Sequence, residues 1–142
     1  MKQLLETDTS KTTILIRIMV GTVFLSEGVQ KFLFPTIRGA GRFEKIALPV
    51  PEFLAYFVGS FEIACGTLLL LGLFTRLASI PLLIIMLVAF ATTKAEILTN
   101  KGFWEMLHES RTDWAMLLGS IFLLIRGSGG YSLDNILFSK RT

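Results

Sequence analysis

The residues able to do chemistry in this chain are ionisable groups set inside apolar runs. Arg17, Glu27 and Lys31 lie in the first apolar stretch, Glu62 lies in the second, and Asp113 opens the last. An ionised side chain near the centre of a bilayer costs about 2.5 to 3.5 kcal/mol, so each must snorkel to an interface or find a partner. At about 100° per residue, Arg17, Gly21, Phe24, Gly28 and Lys31 share one helical face, with Glu27 at its border. Two readings of that face stay open. Glu27 precedes Lys31 by one turn, the favourable order for an i,i+4 ion pair. Alternatively, Arg17 and Lys31 reach the two interfaces by snorkelling and leave only Glu27 deep. In the second stretch Gly59, Glu62 and Gly66 form a small-residue strip along which another helix can approach.

If the first helix runs towards the long connections and the second away from them, Lys31 lies close to the loops, Glu27 a turn deeper and Glu62 near mid-membrane. Joined by Asp113, such carboxyls form a cup suited to a polar headgroup such as a quinone ring. The competing reading is that Lys31 and Arg17 neutralise Glu27 and Glu62 between helices and hold the assembly together. Other motifs carry less. Glu105-x-x-His108 has the spacing of a di-metal bundle ligand pair, but it occurs once and His108 is the single histidine. No metal site is expected, and a haem held by two histidines of one chain is excluded. Cys65 is the single cysteine and reads as a small buried residue, which excludes an internal disulfide or a thiol relay. Gly127-Ser128-Gly129-Gly130 lacks a preceding strand and reads as a helix stop rather than a nucleotide loop.

The elements that must position these groups follow from hydropathy. Over 142 residues the chain is 52% hydrophobic and 18% charged, and its mean hydropathy is +0.64. This is the profile of a membrane protein of one domain, residues 1–142. The net charge of +3 is scattered between apolar segments, so no nucleic-acid partner is expected. The expected fold is all-α and polytopic, with four transmembrane helices at about 12–34, 51–74, 77–93 and 113–126 in an antiparallel bundle. Gly28, Gly59, Gly66 and Gly72 are expected at close packing points or turns. An interfacial helix, with Trp104 at headgroup level, is expected between the third and fourth helices. Thr7, Thr9 and Ser10 are candidate caps for the first helix, and a short amphipathic turn is expected around residues 43–48. The first apolar stretch is charged within and lacks a cleavage site, so it is expected to be retained. Four crossings put both termini on one side. Lysines and arginines divide too evenly between the sides to fix the orientation.

The ordered set of short motifs resembles the DoxX family of small membrane proteins. It comprises Arg17, Gly28-x-x-Lys31, a glycine-flanked Glu62, Leu68-Leu-Leu-Leu-Gly72-Leu-Phe-Thr-Arg76 and Gly127-x-Gly129-x-Tyr131-Ser132-Leu133-Asp134. Ser128 stands where proline is frequent in the family. The resemblance implies a four-helix bundle in a bacterial or archaeal plasma membrane. It also implies a link to redox chemistry, since family members are named for a subunit of a thiosulfate:quinone oxidoreductase. Arg17, Gly28, Lys31, Glu62, Gly72 and Arg76 carry over as structural or site-lining positions, and no catalytic residue carries over. The reading that follows is a quinone-linked oxidoreductase component with no covalently bound cofactor, embedded in lipid and working with a redox partner protein or as a homo-oligomer. A non-catalytic assembly scaffold is the alternative. A small-molecule transporter ranks last, because no inverted repeat of interrupted helices is evident.

Overall fold

A computed structural model describes residues 9–138, and every regular element among them is a helix. In chain order these are α1 (Thr13–Leu33), α2 (Ala40–Lys45), α3 (Pro51–Leu71), α4 (Thr75–Ala89), a π-helical turn (Phe90–Lys94), α5 (Ala95–Lys101), α6 (Phe103–Glu109), α7 (Arg111–Arg126) and α8 (Leu133–Phe138). Three helical runs are long and apolar enough to cross a membrane: Thr13–Leu33, Pro51–Leu71 and the continuous Thr75–Lys101. A bilayer core of about 30 Å needs about 20 helical residues. With 16 residues, α7 is shorter than that.

The arrangement starts from glycine. Built on Gly21, a Cβ would stand 3.0 Å from the carbonyl oxygen of Gly66, and on Gly28 it would stand 2.7 Å from that of Gly59. Gly21 beside Gly66 and Gly28 beside Gly59 make α1 and α3 antiparallel with their backbones in contact. Without side chains between them, dispersion contacts and shared polar groups join the helices where the hydrophobic effect has little to offer in lipid. The buried face of α1 holds Arg17, Gly21, Phe24, Gly28 and Lys31, as the helical periodicity requires. The buried face of α3 holds Ala55, Gly59, Glu62, Cys65, Gly66 and Leu69. Four helices supply one apolar core: Val20 and Phe24 from α1, Cys65 and Leu69 from α3, Ala78, Leu82 and Met86 from α4, and Met116 and Leu123 from α7.

Boundaries differ from the hydropathy reading in instructive ways. The second helix ends at Leu71 rather than residue 74, because Gly72 takes φ +66° and Phe74 takes φ +49°. The third starts at Thr75 rather than 77 and does not stop at 93. It passes through the π turn into α5, so much of the expected connection after Lys94 is helical. The fourth begins at Arg111 rather than 113. The expected helix around Trp104 is α6, whose Trp104 is 80% exposed. The amphipathic turn expected at 43–48 is α2, shifted towards the N-terminus. No side chain caps α1; Ser10 instead shares a hydrogen bond with the Thr12 hydroxyl at 2.9 Å. Thr9 lies ahead of that turn, and Thr7 lies outside the described residues.

The α1–α3 contact generates a direct test. A Cβ on Gly66 would meet the Leu25 amide nitrogen at 2.8 Å and the Gly21 carbonyl at 2.9 Å, both rigid backbone atoms. Gly66→Ala and Gly28→Ala are each expected to lower stability by about 1 to 3 kcal/mol through overpacking. The exposed Thr67→Ala should stay within about 0.5 kcal/mol of the parent. Thermal unfolding in detergent reads the difference.

Candidate functional site

At the end of α1 nearest the α2 connection, the Lys31 ammonium donates to Glu62 Oε2 at 2.6 Å, a buried ion pair between α1 and α3. Lys31 is 7% exposed and Glu62 4%. The packing explains the pairing: Gly59 allows α3 to come against the Lys31 side chain, whose Cβ would lie 3.3 Å from an added methyl there. The expected Lys31 to Glu27 ion pair along α1 does not form. Lys31 makes a long 3.5 Å contact to the Glu27 carbonyl instead, and its charge goes across to α3. Glu27 remains half-buried and within electrostatic reach of Glu62. Arg42 of α2 is within the same reach. Burying two charges becomes tolerable only when they satisfy one another.

Arg17 lies fourteen residues earlier on the same face, about 21 Å away along the helix axis. It neutralises no carboxylate of the Glu27–Glu62 group. Its guanidinium is 3% exposed and is spent on backbone carbonyls. Nε donates to Leu69 O at 2.8 Å and Nη2 to Leu70 O at 2.9 Å, which satisfies the end of α3. Nη1 donates to Ser128 O at 2.9 Å and also to Tyr131 O. Gly72 must be glycine on two counts: its left-handed φ, and a Cβ position 2.6 Å from the Arg17 guanidinium carbon. The C-terminal motif closes the same knot. The Asp134 carboxylate accepts the amide N–H of Phe74 at 2.7 Å and that of Thr75 at 3.1 Å, while its own N–H donates to Gly72 O at 2.9 Å. A carboxylate at the first N–H groups of α4 both caps the helix and complements its dipole.

Asp113 belongs to a third group. Lys94, the last residue of the π turn, donates to Asp113 Oδ2 at 2.8 Å and to Glu109 O at 3.1 Å. Phe90, at the other end of the turn, packs on Trp114 with ring centres 4.8 Å apart. At the end of the third membrane-length run, Lys101 donates to Glu109 at 2.9 Å, and this hydrogen bond holds the Glu109 carboxyl, which lies outside the run, below the usual carboxylate range. The contribution is present at neutral pH, fades as pH falls through that lowered value, and is screened because both groups face solvent. His108 accepts from Arg111 at 2.9 Å. Among the described residues no group of three or more His, Cys, Asp or Glu side chains is gathered to hold a metal ion.

The five ionisable candidates therefore separate into a Lys31–Glu62 pair with Glu27 beside it, an Arg17 knot, and a Lys94–Asp113 pair. Of the glycines, Gly28, Gly59 and Gly66 line the α1–α3 contact and Gly72 turns the chain beneath Arg17. Arg42, Lys94 and Asp134 were not singled out as site residues from the sequence. Only Asp134 had a signal there, its fixed place at the end of the glycine-rich C-terminal motif.

The DoxX family profile matches residues 12–95. An uncharacterized membrane protein of Mycobacterium tuberculosis is 49% identical over 99% of this chain and 90% of its own length. CatD of Bacillus subtilis, whose name places it provisionally among oxidoreductases, is 30% identical over 91% of this chain and 89% of its own length. No solved structure matches the chain.

Two tests follow from the buried groups. Lys31→Met strands Glu62 and is expected to cost about 3 to 5 kcal/mol, whereas Lys31→Met with Glu62→Leu should recover most of that loss; unfolding in detergent measures both. Asp134→Asn should loosen the segment after Gly127, seen as faster proteolysis there with α1 to α7 still intact.

Proposed function

The chain belongs to the DoxX family, and from that premise we propose that it is a quinone-linked component of a redox system in the plasma membrane. In this reading α1, α3, the α4 to α5 run and α7 all cross the bilayer as an antiparallel bundle. α6 lies in the interface with Trp104 among the headgroups. The short α7 is accommodated by local thinning and by polar ends close to both surfaces.

The observation that carries the reading is the Lys31–Glu62 pair, a carboxylate and an ammonium 2.6 Å apart on membrane-length helices. Ionisable groups at that depth are costly and mark ligand or proton paths more often than chance allows. The donor set fits a quinone. The Lys31 ammonium can donate to a ring carbonyl oxygen, and Glu62 can accept from the hydroxyl of the reduced form. Reducing a quinone takes up a proton with each electron, and the Glu62 carboxylate, with Glu27 beside it, can hold such a proton near the ring, while Arg42 contributes positive charge. Arg42 on α2 lies within electrostatic reach of the pair. In this reading the electrons come from the cofactor of a partner protein.

An equilibrium titration of purified protein in detergent with a short-chain quinone tests this. Parent protein should bind. The near-isosteric Glu62→Gln should weaken binding by about tenfold or more, the scale of one charge-assisted hydrogen bond, and Lys31→Met should do likewise. Binding indifferent to both variants removes the quinone reading and leaves the pair as helix-to-helix glue in a scaffold.

A further inference from the structure

On the far side of α3 from Glu62 lies an open groove with two connected parts. The upper part, about 610 Å³, sits between the end of α1, α2 and the start of α3, and Glu44, Lys45, Glu52 and Tyr56 line it. The lower part, about 470 Å³, runs down the outer face of α3 past Phe53, Phe57 and Phe61. Glu52 and Tyr56 line both, so a charged mouth adjoins an aromatic floor. The rings of Phe53 and Phe57 are 5.8 Å apart and those of Phe57 and Phe61 4.9 Å, an unbroken ladder with 62%, 50% and 40% of each side chain exposed. Neither part is lined by Lys31 or Glu62.

We propose that this groove is a binding site for a zwitterionic aminophospholipid, with its ammonium on Glu44 and Glu52, its phosphate on Lys45 and one acyl chain along Phe53, Phe57 and Phe61. The mouth selects the head. The two exposed carboxylates of this lining outnumber its one exposed lysine and disfavour a purely anionic lipid, and a neutral ring leaves all three charges unmatched. A primary ammonium donates N–H bonds to both carboxylates, which a quaternary ammonium cannot do. The floor selects the tail: Phe53 to Phe61 spans eight residues, about 12 Å, close to the depth of one leaflet of the hydrocarbon core. The site stands apart from the quinone reading, because it uses the opposite face of α3 and none of the buried pair.

The test is lipid retention by the full chain, delipidated in detergent and then supplied with phosphatidylethanolamine, phosphatidylcholine or a short-chain quinone, with bound molecules counted by native mass spectrometry. Phosphatidylethanolamine should be retained about tenfold better than phosphatidylcholine, and the preference should vanish in the Glu44→Gln, Glu52→Gln double variant. Phe57→Ala, at a half-exposed position that the core does not use, should weaken both lipids equally and keeps the test open if the double variant fails to fold. Equal retention of the two lipids in parent protein, which marks ordinary lipid contact, overturns the proposal. So does a preference that survives the double variant, or displacement of phosphatidylethanolamine by an equal concentration of quinone.

Discussion

The close approach of α1 and α3 is the constraint on which the rest of the structure depends. Backbones touching at Gly21–Gly66 and Gly28–Gly59 bring long polar side chains within reach of the neighbouring helix at both ends of the contact. At one end Arg17 reaches the last carbonyls of α3; at the other Lys31 reaches Glu62. A larger residue at any of the four glycines separates the helices, and both polar contacts lengthen with them. In a medium without water, a charge that loses its partner has nothing to replace it, so the glycine contact and the buried charges are one cooperative unit.

Arg17 shows how a single cation can organise a chain end. Helix termini leave carbonyls without intrahelical partners, and a guanidinium offers several donors in a fixed plane. Arg17 spends those donors on Leu69, Leu70, Ser128 and Tyr131, so the end of α3 and the chain beyond α7 share one anchor. Asp134 does the converse for donors, accepting from the first N–H groups of α4. Cation on carbonyls and anion on amides, with Gly72 between them, turn what reads as a loose C-terminal tail into part of the helix-end chemistry.

Much of this was legible in the sequence because periodicity fixes faces. The stripe from Arg17 to Lys31 and the strip from Gly59 to Gly66 bury as their spacing requires. What periodicity cannot give is the choice between partners at similar reach. Lys31 could pair along its own helix with Glu27 or across to Glu62, and the glycine contact decides for the second. The end of the third helix was misplaced for a related reason. Lys94 reads as a terminal charge, yet the wider π turn buries it against Asp113, and the helix continues. The Arg17 partners were invisible because they are carbonyls, which every residue carries and no motif encodes.

The distribution of charge argues for a division of labour between the two ends. At the Arg17 end the cation meets neutral carbonyls and a carboxylate that is already capping a helix, so the arrangement is satisfied by backbone and resists change. At the Lys31 end two side chains meet each other, and a second acid, Glu27, and a second cation, Arg42, lie within electrostatic reach. A salt bridge between side chains can exchange a partner or a proton, whereas backbone capping cannot do so without unwinding a helix. The end built from exchangeable groups is the one on which the proposed quinone site rests.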